Sequence, residues 1–336
     1  MRVGRLLLRR LLFMIPILFG VVTLTFFVTR LTAGDPAGLI AGQYGSPEEI
    51  ENIRAELGLN DPLGEQYLKF LGDAVRLDFG ESFFTGDPVA EDLAERLPIT
   101  FELVFLSLAL ALALGLSAGV IAARRAGRAS DKAVRFASFA MLSIPEFWFG
   151  MILIYVFFFQ LGLAPPPTGQ LSAGDPIPRR ITGAALFDSI LTANPGALKA
   201  SVAHAALPIV TLGVGLAAPI ARLARSSMLE AMQSDYLDFG RACGLPAARL
   251  RRYAIRESLP PVVTFTGILF SVLIGGAVLI EVVFSWGGAA EYAADAIAQN
   301  DYPAIQGFVV VAGVVSVLTF LIVDLLYVAI DPRVRL

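Results

Sequence analysis

The chain has 336 residues, of which 56% are hydrophobic and only 16% charged, with a mean hydropathy of +0.70. A soluble domain carries about a quarter charged residues, so this composition specifies an integral membrane protein. One cysteine and one histidine exclude a disulfide framework and a four-ligand protein zinc site, and the net charge of −3 matters only through its distribution.

Met1 to Arg10 holds Arg2, Arg5, Arg9 and Arg10, and the uncharged run Leu11 to Thr29 follows. That run is near the ~20 residues needed to cross the hydrocarbon core. A cleavable signal peptide shares the basic start, and Thr32-Ala33-Gly34 would serve as its cleavage site; its apolar core is ordinarily shorter. Residues 1–30 are therefore read as an N-terminus and first span. Leu31 to Leu97 carries fourteen acidic residues against four basic ones. It is too polar to be membrane-embedded and too well punctuated to be disordered, which predicts a small helical insert on the outer face. Ser46-Pro47-Glu48-Glu49 is a capping box with proline at the first helical position, and Gly58 closes that helix. Tyr67, Phe70, Leu71 and Ala74 recur at helical spacing, and Asp87-Pro88 opens a third helix running towards Arg96.

Residues 98–336 form the remaining core. A second span is predicted from Leu103 to Ala123, and a third from Phe136 to about Leu163 with Ser143-Ile144-Pro145 and Glu146 inside it. Pro165-Pro166-Pro167 and Asp175-Pro176 break any helix in the next loop, which carries an apolar patch from Ile181 to Leu191. Spans four, five and six are predicted over Ala200–Ala221, Ser258–Ile280 and Tyr302–Val323, with Glu281 to Asp301 as the return between the last two. Between spans four and five, Arg222 to Pro261 holds seven arginines against four acidic residues. There Met228 to Ala242 reads as an amphipathic helix with Met228, Met232, Tyr236 and Phe239 in one stripe. Gly244 supplies a turn tolerant of positive φ, and Pro246 opens a second helix continued by Leu250, Tyr253 and Ala254. With Glu281 and Asp324 counted with the spans they adjoin, the connecting segments carry, in order, net charges of +4, −10, +4, +1, +3, −3 and +1. Inside and outside alternate along the chain, and all the clearly positive segments fall on one side, which predicts six spans with both termini cytoplasmic. The fold class expected is thus an all-α integral membrane protein of six transmembrane helices, with a small extracytoplasmic helical subdomain and a cytoplasmic loop at residues 222–261.

Asp235-Tyr236, Arg241-Ala242-Cys243-Gly244-Leu245 and Ser258-Leu259-Pro260-Pro261 resemble the EAA loop of ABC importer permeases, in its peptide and nickel branch. Mapped back from Gly244, the Glu-Ala-Ala positions fall on Asp238, Phe239 and Gly240, so only the acidic character survives. Further landmarks of that family are Arg9-Arg10-Leu11-Leu12, Gly34-Asp35-Pro36, Leu279 to Gly288, and the ending Asp331-Pro332-Arg333-Val334-Arg335. The resemblance implies a coupling helix seated in a groove of an ATP-hydrolysing subunit, with Asp235, Tyr236, Asp238, Gly240, Ala242, Gly244 and Leu245 at the coupling surface. It further implies a second homologous permease, two ATPase subunits, an extracytoplasmic solute-binding protein, and a bacterial or archaeal cytoplasmic membrane. The solute implied is a dipeptide or oligopeptide, with nickel or another small solute as the alternative.

No Gly-x-x-x-x-Gly-Lys-Ser/Thr run, His-Glu-x-x-His or Gly-x-Ser-x-Gly occurs, so no enzyme activity, cofactor, metal site or nucleic-acid partner is expected. Ser201 near His204 is the only neighbourhood an intramembrane protease would offer, and it reads as capping or packing. Gly213-Val214-Gly215 reads as close helix packing. Carboxylates at membrane depth cost about 3 kcal/mol and usually face a bundle interior or an aqueous path. That makes Glu146, Glu281 and Asp324 pathway or outer-gate candidates, with Glu102 beside them; Glu102 and Glu281 have the alternative of lying at a wet interface. An ion-gradient-driven carrier or channel is the rival from another class, but it has no use for the loop around Gly244.

Overall fold

A computed structural model describes residues 2–32, 36–42, 45–56 and 58–330; the Gly34-Asp35 and Asp331–Arg335 landmarks lie outside the described residues. The order is α1 (Arg2–Thr32), α2 (Pro36–Ala41), α3 (Pro47–Glu56), α4 (Leu63–Val75), α5 (Val89–Arg124), α6 (Ala129–Leu142) and α7 (Glu146–Leu153), which continues as a π-helical stretch over Ile154–Gln160. Then come α8 (Ala185–Leu191), α9 (Pro195–Met232), α10 (Asp235–Ala242), α11 (Ala247–Gly276), α12 (Val278–Phe284), α13 (Ala289–Gln299) and α14 (Tyr302–Ile330). The described residues contain no strand beyond an isolated bridge between Glu81 and Pro88. The protein is an all-α integral membrane protein.

Among the described residues, five helices are long and apolar enough to cross a membrane: the stretches Leu12–Arg30, Val89–Arg124, Pro195–Met232, Ala247–Gly276 and Tyr302–Leu325. The predicted third span is not one straight helix. It is a pair, Ala129–Leu142 and Glu146–Gln160, bent by 96°. The break is Ser143-Ile144-Pro145, with Pro145 extended (φ −60°, ψ 131°) at the N-cap of α7. The proline has no N–H to carry the ladder forward and pushes the residue before it out of the helical region.

Local signals placed several other boundaries. The Ser46 hydroxyl accepts the Glu49 amide at 3.1 Å, and Gly58 takes φ +64° just past α3. Asn194 caps α9 by accepting from the Ala197 amide at 3.1 Å, with Pro195 at the first helical position. Elsewhere tertiary context prevailed. The helix opened by Asp87-Pro88 does not stop near Arg96 but runs through Pro98 to Arg124 as one 36-residue helix. Likewise α11 begins at Ala247 and passes through Pro260 and Pro261, so the second loop helix and the fifth span are continuous.

The chain forms two compact units. One comprises Met1–Thr100 with Gly287–Val317. In it α1 packs on α4 through Phe26, Phe27, Tyr67 and Phe70, whose ring centroids lie 5.4–5.9 Å apart. Gln306 donates to Thr29 at 2.6 Å, Ser82 to Asp301 at 2.5 Å, and the Ala289 amide to Thr100 at 2.8 Å. The other unit comprises Phe101–Trp286 with Leu318–Leu336, and α9 is its hub, packing against α6, α7, α8, α11 and α12. Gly115 and Gly119 let α5 approach α9 closely. A Cβ on Gly119 would lie 2.7 Å from the Ala221 carbonyl oxygen, and one on Gly115 would lie 2.9 Å from that of Ala217. This small-x-x-x-small spacing is the usual means of bringing helix backbones together where the solvent is lipid.

Candidate coupling surface and buried carboxylates

The predicted helix Met228–Ala242 is two helices. α9 runs on to Met232, the chain turns at Gln233-Ser234, and α10 starts afresh at Asp235. The stripe of Met228, Met232, Tyr236 and Phe239 therefore does not share one face. Met228 is fully buried with Ala123, Ala231, Leu237 and Ala254, while Tyr236 and Phe239 are 45% and 71% exposed. Leu237, rather than Tyr236, carries the buried side of α10. The Ser234 hydroxyl bonds back to the Ala231 carbonyl at 2.7 Å, closing α9.

The outward side of α10 presents Asp235, Tyr236, Asp238, Phe239 and Ala242, all exposed. Asp235 and Asp238 stand in its first turn and Arg241 in its last, which complements the helix dipole. Arg241 pairs with Asp238 and also donates to the Met232 carbonyl at 3.1 Å, tying α10 to the end of α9. Burial pushes the Tyr236 hydroxyl up to about 12, helped by a hydrogen bond to Glu257.

Gly240 and Gly244 serve different ends. A Cβ on Gly240 would stand 2.8 Å from Leu250 and 3.2 Å from Leu245, so its smallness lets α10 lie on the start of α11. Gly244 has open space around its Cα but takes φ +74°. Its amide reaches the Arg241 carbonyl at 3.0 Å, and the Leu245 amide reaches the Gly240 carbonyl at 3.0 Å. These are the two bonds of a Schellman ending. Leu245, half-buried, fills the turn, and Pro246 opens α11. The site is a short, capped, amphiphilic helix held rigidly on the ends of two long ones.

Asp131, which stands among Arg124, Arg125, Arg128, Lys132 and Arg135, anchors the same end of the bundle. It is buried and receives Arg225 in a fork, Nε to Oδ1 at 2.5 Å and an Nη to Oδ2 at 2.8 Å, together with the Gly127 amide at 2.9 Å. The pair joins the start of α6 to α9, 94 residues away, immediately before the α10 handle. Bidentate geometry fixes orientation as well as distance.

The span carboxylates divide into different environments. Glu146 opens α7, and its carboxylate occupies the space left by Gly215, where a Cβ would be 2.9 Å from Oε1. Glu281, fully buried, lies on α12, and α7, α9 and α12 pack against one another. Asp324 is half-buried on α14, one residue beyond Val323, which abuts Gly267 of α11. Glu102 is 1% exposed, not at a wet interface. Its Oε2 accepts the Phe187 amide at 2.8 Å and its Oε1 accepts Gln170 at 3.1 Å, while Gln170 Oε1 accepts the Ala185 amide at 3.1 Å. Glu102 thereby holds the loop that ends in α8. Asp188 stiffens the same loop: burial pushes its carboxyl up, but donors from Thr182, Ile181 and Gly183 outweigh this and hold it below the usual range. His204 and Ser172 both approach Asp175, and Ser172 and Asp175 share the same His204 nitrogen at 3.3 and 3.1 Å. That arrangement latches a loop; it leaves no second ring nitrogen engaged as a serine-hydrolase triad needs.

Comparison with known proteins covers nearly the whole chain. Residues 115–336 match the family model described as binding-protein-dependent transport system inner membrane component, and residues 3–104 match the model of its N-terminal part. The chain is 38% identical over 329 residues to the di/tripeptide transport system permease protein DppB of Pseudomonas aeruginosa, covering 97% of each. It is 36% identical to the dipeptide transport system permease protein DppB of Escherichia coli K12 over 335 residues, covering 98% of each. It is also 37% identical to the oligopeptide transport system permease protein AppB of Bacillus subtilis over 331 residues, again covering 98% of each. The chain belongs to the family of binding-protein-dependent transport system inner membrane components.

Proposed function

We propose that the chain is the permease subunit of an ATP-driven importer of dipeptides or oligopeptides. It works beside a second, homologous permease, two ATPase subunits and an extracytoplasmic solute-binding protein. The observation that carries this reading is the α10 handle: two exposed aromatics and two acids on a short helix, locked by the Gly244 ending and by Arg241. Such a projection suits a groove on a soluble partner better than it suits lipid or solvent. ATP-driven closure of the ATPases would push α10, and α9 and α11 would carry the movement along the bundle, because α10 is tied to both. The chain itself performs no bond-making chemistry in this scheme. Near-full-length likeness to three permeases named for peptides supports a peptide as solute over nickel. Its direct test is dipeptide uptake that requires both ATP and the binding protein.

The orientation belongs to the same proposal: residues 222–261 and both termini face the cytoplasm, residues 31–97 face outward, and 98–336 form the translocating core. Cys243 is exposed and is the chain's single cysteine, so the native protein carries its own probe. In sealed cells an impermeant maleimide leaves Cys243 unlabelled, and labelling follows only on permeabilisation with release of the ATPase subunits. By contrast, Ile177→Cys, at a site 81% exposed in the loop before α8, reacts from outside in a Cys243→Ser background. Labelling of Cys243 in sealed cells reverses the orientation.

A further inference from the structure

The polar insert between α1 and α5 contains one helix whose surface does not match its polar surroundings. On α4, Glu65, Lys69, Asp73 and Arg76 fall into one narrow stripe at about 100° per residue. Tyr67, Phe70 and Ala74 form the next sector and turn towards the unit's interior, where Tyr67 and Phe70 stack on α1. Beyond them Leu68, Leu71 and Val75, at i, i+3 and i+7, make a third sector that no part of the unit covers fully. Leu68 is 66% exposed and Val75 80%. The apolar arc of α4 is thus about twice as wide as the part that packs on α1.

The attachment to α1 sets the depth. The Tyr67 hydroxyl lies 2.7 Å from Thr23 Oγ1, and the Tyr67 ring contacts Phe26 and Phe27. Thr23 stands seven residues inside the end of the membrane-crossing stretch Leu12–Arg30. At 1.5 Å per residue this is about 10 Å below that end, within a hydrocarbon core about 30 Å thick. The long Tyr67 side chain spans part of that depth, which leaves α4 itself in the outer part of the hydrocarbon core, where the apolar face of an interfacial helix lies. At the same level α1 also exposes apolar side chains, Leu24, Phe27 and Val28. Past the helix, Leu77 takes φ +59° at the position where glycine would be unstrained, and its side chain is also exposed.

We propose that α4 is an interfacial helix. Its Leu68–Leu71–Val75 face, with Leu77, is covered by lipid acyl chains in the leaflet beside the C-terminal end of α1, and the Glu65–Arg76 stripe faces water. An apolar face beside a narrow charged stripe is the pattern by which helices lie in the membrane plane. This seats the insert on the bilayer instead of leaving it suspended above it. The inference rests on the membrane insertion of α1 and is independent of the solute and of the orientation.

Spin labelling of the assembled, vesicle-reconstituted transporter tests it. Nitroxides are placed by Leu68→Cys, Val75→Cys, Glu65→Cys and Arg76→Cys in a Cys243→Ser background, in phosphatidylethanolamine and phosphatidylglycerol. Labels at 68 and 75 are expected to collide several-fold more often with oxygen than with a water-soluble nickel chelate, and the ratio inverts at 65 and 76. All four positions are exposed, so the labels themselves leave the packing intact. Equal access of the nickel chelate to 68 and 65 overturns the proposal in favour of a water-facing helix. Protection of 68 and 75 from both reagents overturns it in favour of a protein partner on that face.

Discussion

Replacing Gly244 by valine is expected to abolish coupled transport while leaving the chain inserted in the membrane. The residue sits at φ +74°, where a β-branched side chain collides with its own backbone at a cost of about 1–3 kcal/mol. The space around it is open, so the effect comes from the backbone alone. To escape the strain, the turn must give up the Gly244–Arg241 and Leu245–Gly240 bonds, and α10 then loses its fixed angle to α11. Uptake should fall at least tenfold with little change in the amount of chain recovered from membranes. Gly244→Ala, strained less, should fall between. Asp238→Lys acts on the surface of the handle instead, replacing the Arg241 pair with like charges. It should weaken recovery of the ATPase with the purified chain. Wild-type uptake in both Gly244→Val and Asp238→Lys removes α10 from the coupling path.

Gly119→Leu is expected to be the most damaging single substitution in the bundle. Its Cβ would fall 2.7 Å from both the Ala221 carbonyl oxygen and the Ala224 Cβ, and 3.0 Å from the Arg225 amide. Two of those three atoms are backbone and cannot rotate away, so α5 and α9 must separate. Overpacking of this kind costs about 1–3 kcal/mol, and here it falls on the segment of α9 that holds Arg225 against Asp131. Thermal unfolding in detergent should shift downward by several degrees and the yield should drop. Gly119→Ala carries the same Cβ and meets the same backbone atoms, so it too should lower the melting temperature, and it is milder only in lacking the further side-chain atoms of leucine. A leucine variant with an unchanged melting curve contradicts the close α5–α9 approach.

Sequence reading reached as far as local signals reach. The Ser46 box and Gly244 are each decided within a few residues, and the folded chain uses both in the expected way; the Asn194–Pro195 start, equally local, begins α9 five residues before the predicted span. The bend at Ser143-Ile144-Pro145 was also written in the sequence, but the apolar run on both sides hides a 96° change of direction. The division between α9 and α10 was masked similarly. Met228, Met232, Tyr236 and Phe239 keep helical spacing across a break, and only Ser234-Asp235, a frequent helix opening, hints at it. What no local pattern carries is long-range pairing. Asp131 meets Arg225 across 94 positions, and Glu102 meets the Phe187 amide across 85. Both acids look like ordinary interface or loop charges until the helices are packed. Glu146 gave a different lesson: its position beside Gly215 links two features, a carboxylate and a glycine, that were separate in the sequence.

The measurement that bears most directly on the account is ATP-driven peptide uptake. The complex purified through this chain is reconstituted in vesicles with its solute-binding protein, and a labelled dipeptide is offered on the side opposite Cys243. Accumulation should require the binding protein, ATP on the Cys243 side and an intact α10. It should persist when ion gradients are collapsed by ionophores, and labelled nickel should not accumulate under the same conditions. Uptake that needs no ATPase and disappears with the ion gradient would contradict the importer reading and establish a gradient-driven carrier in its place.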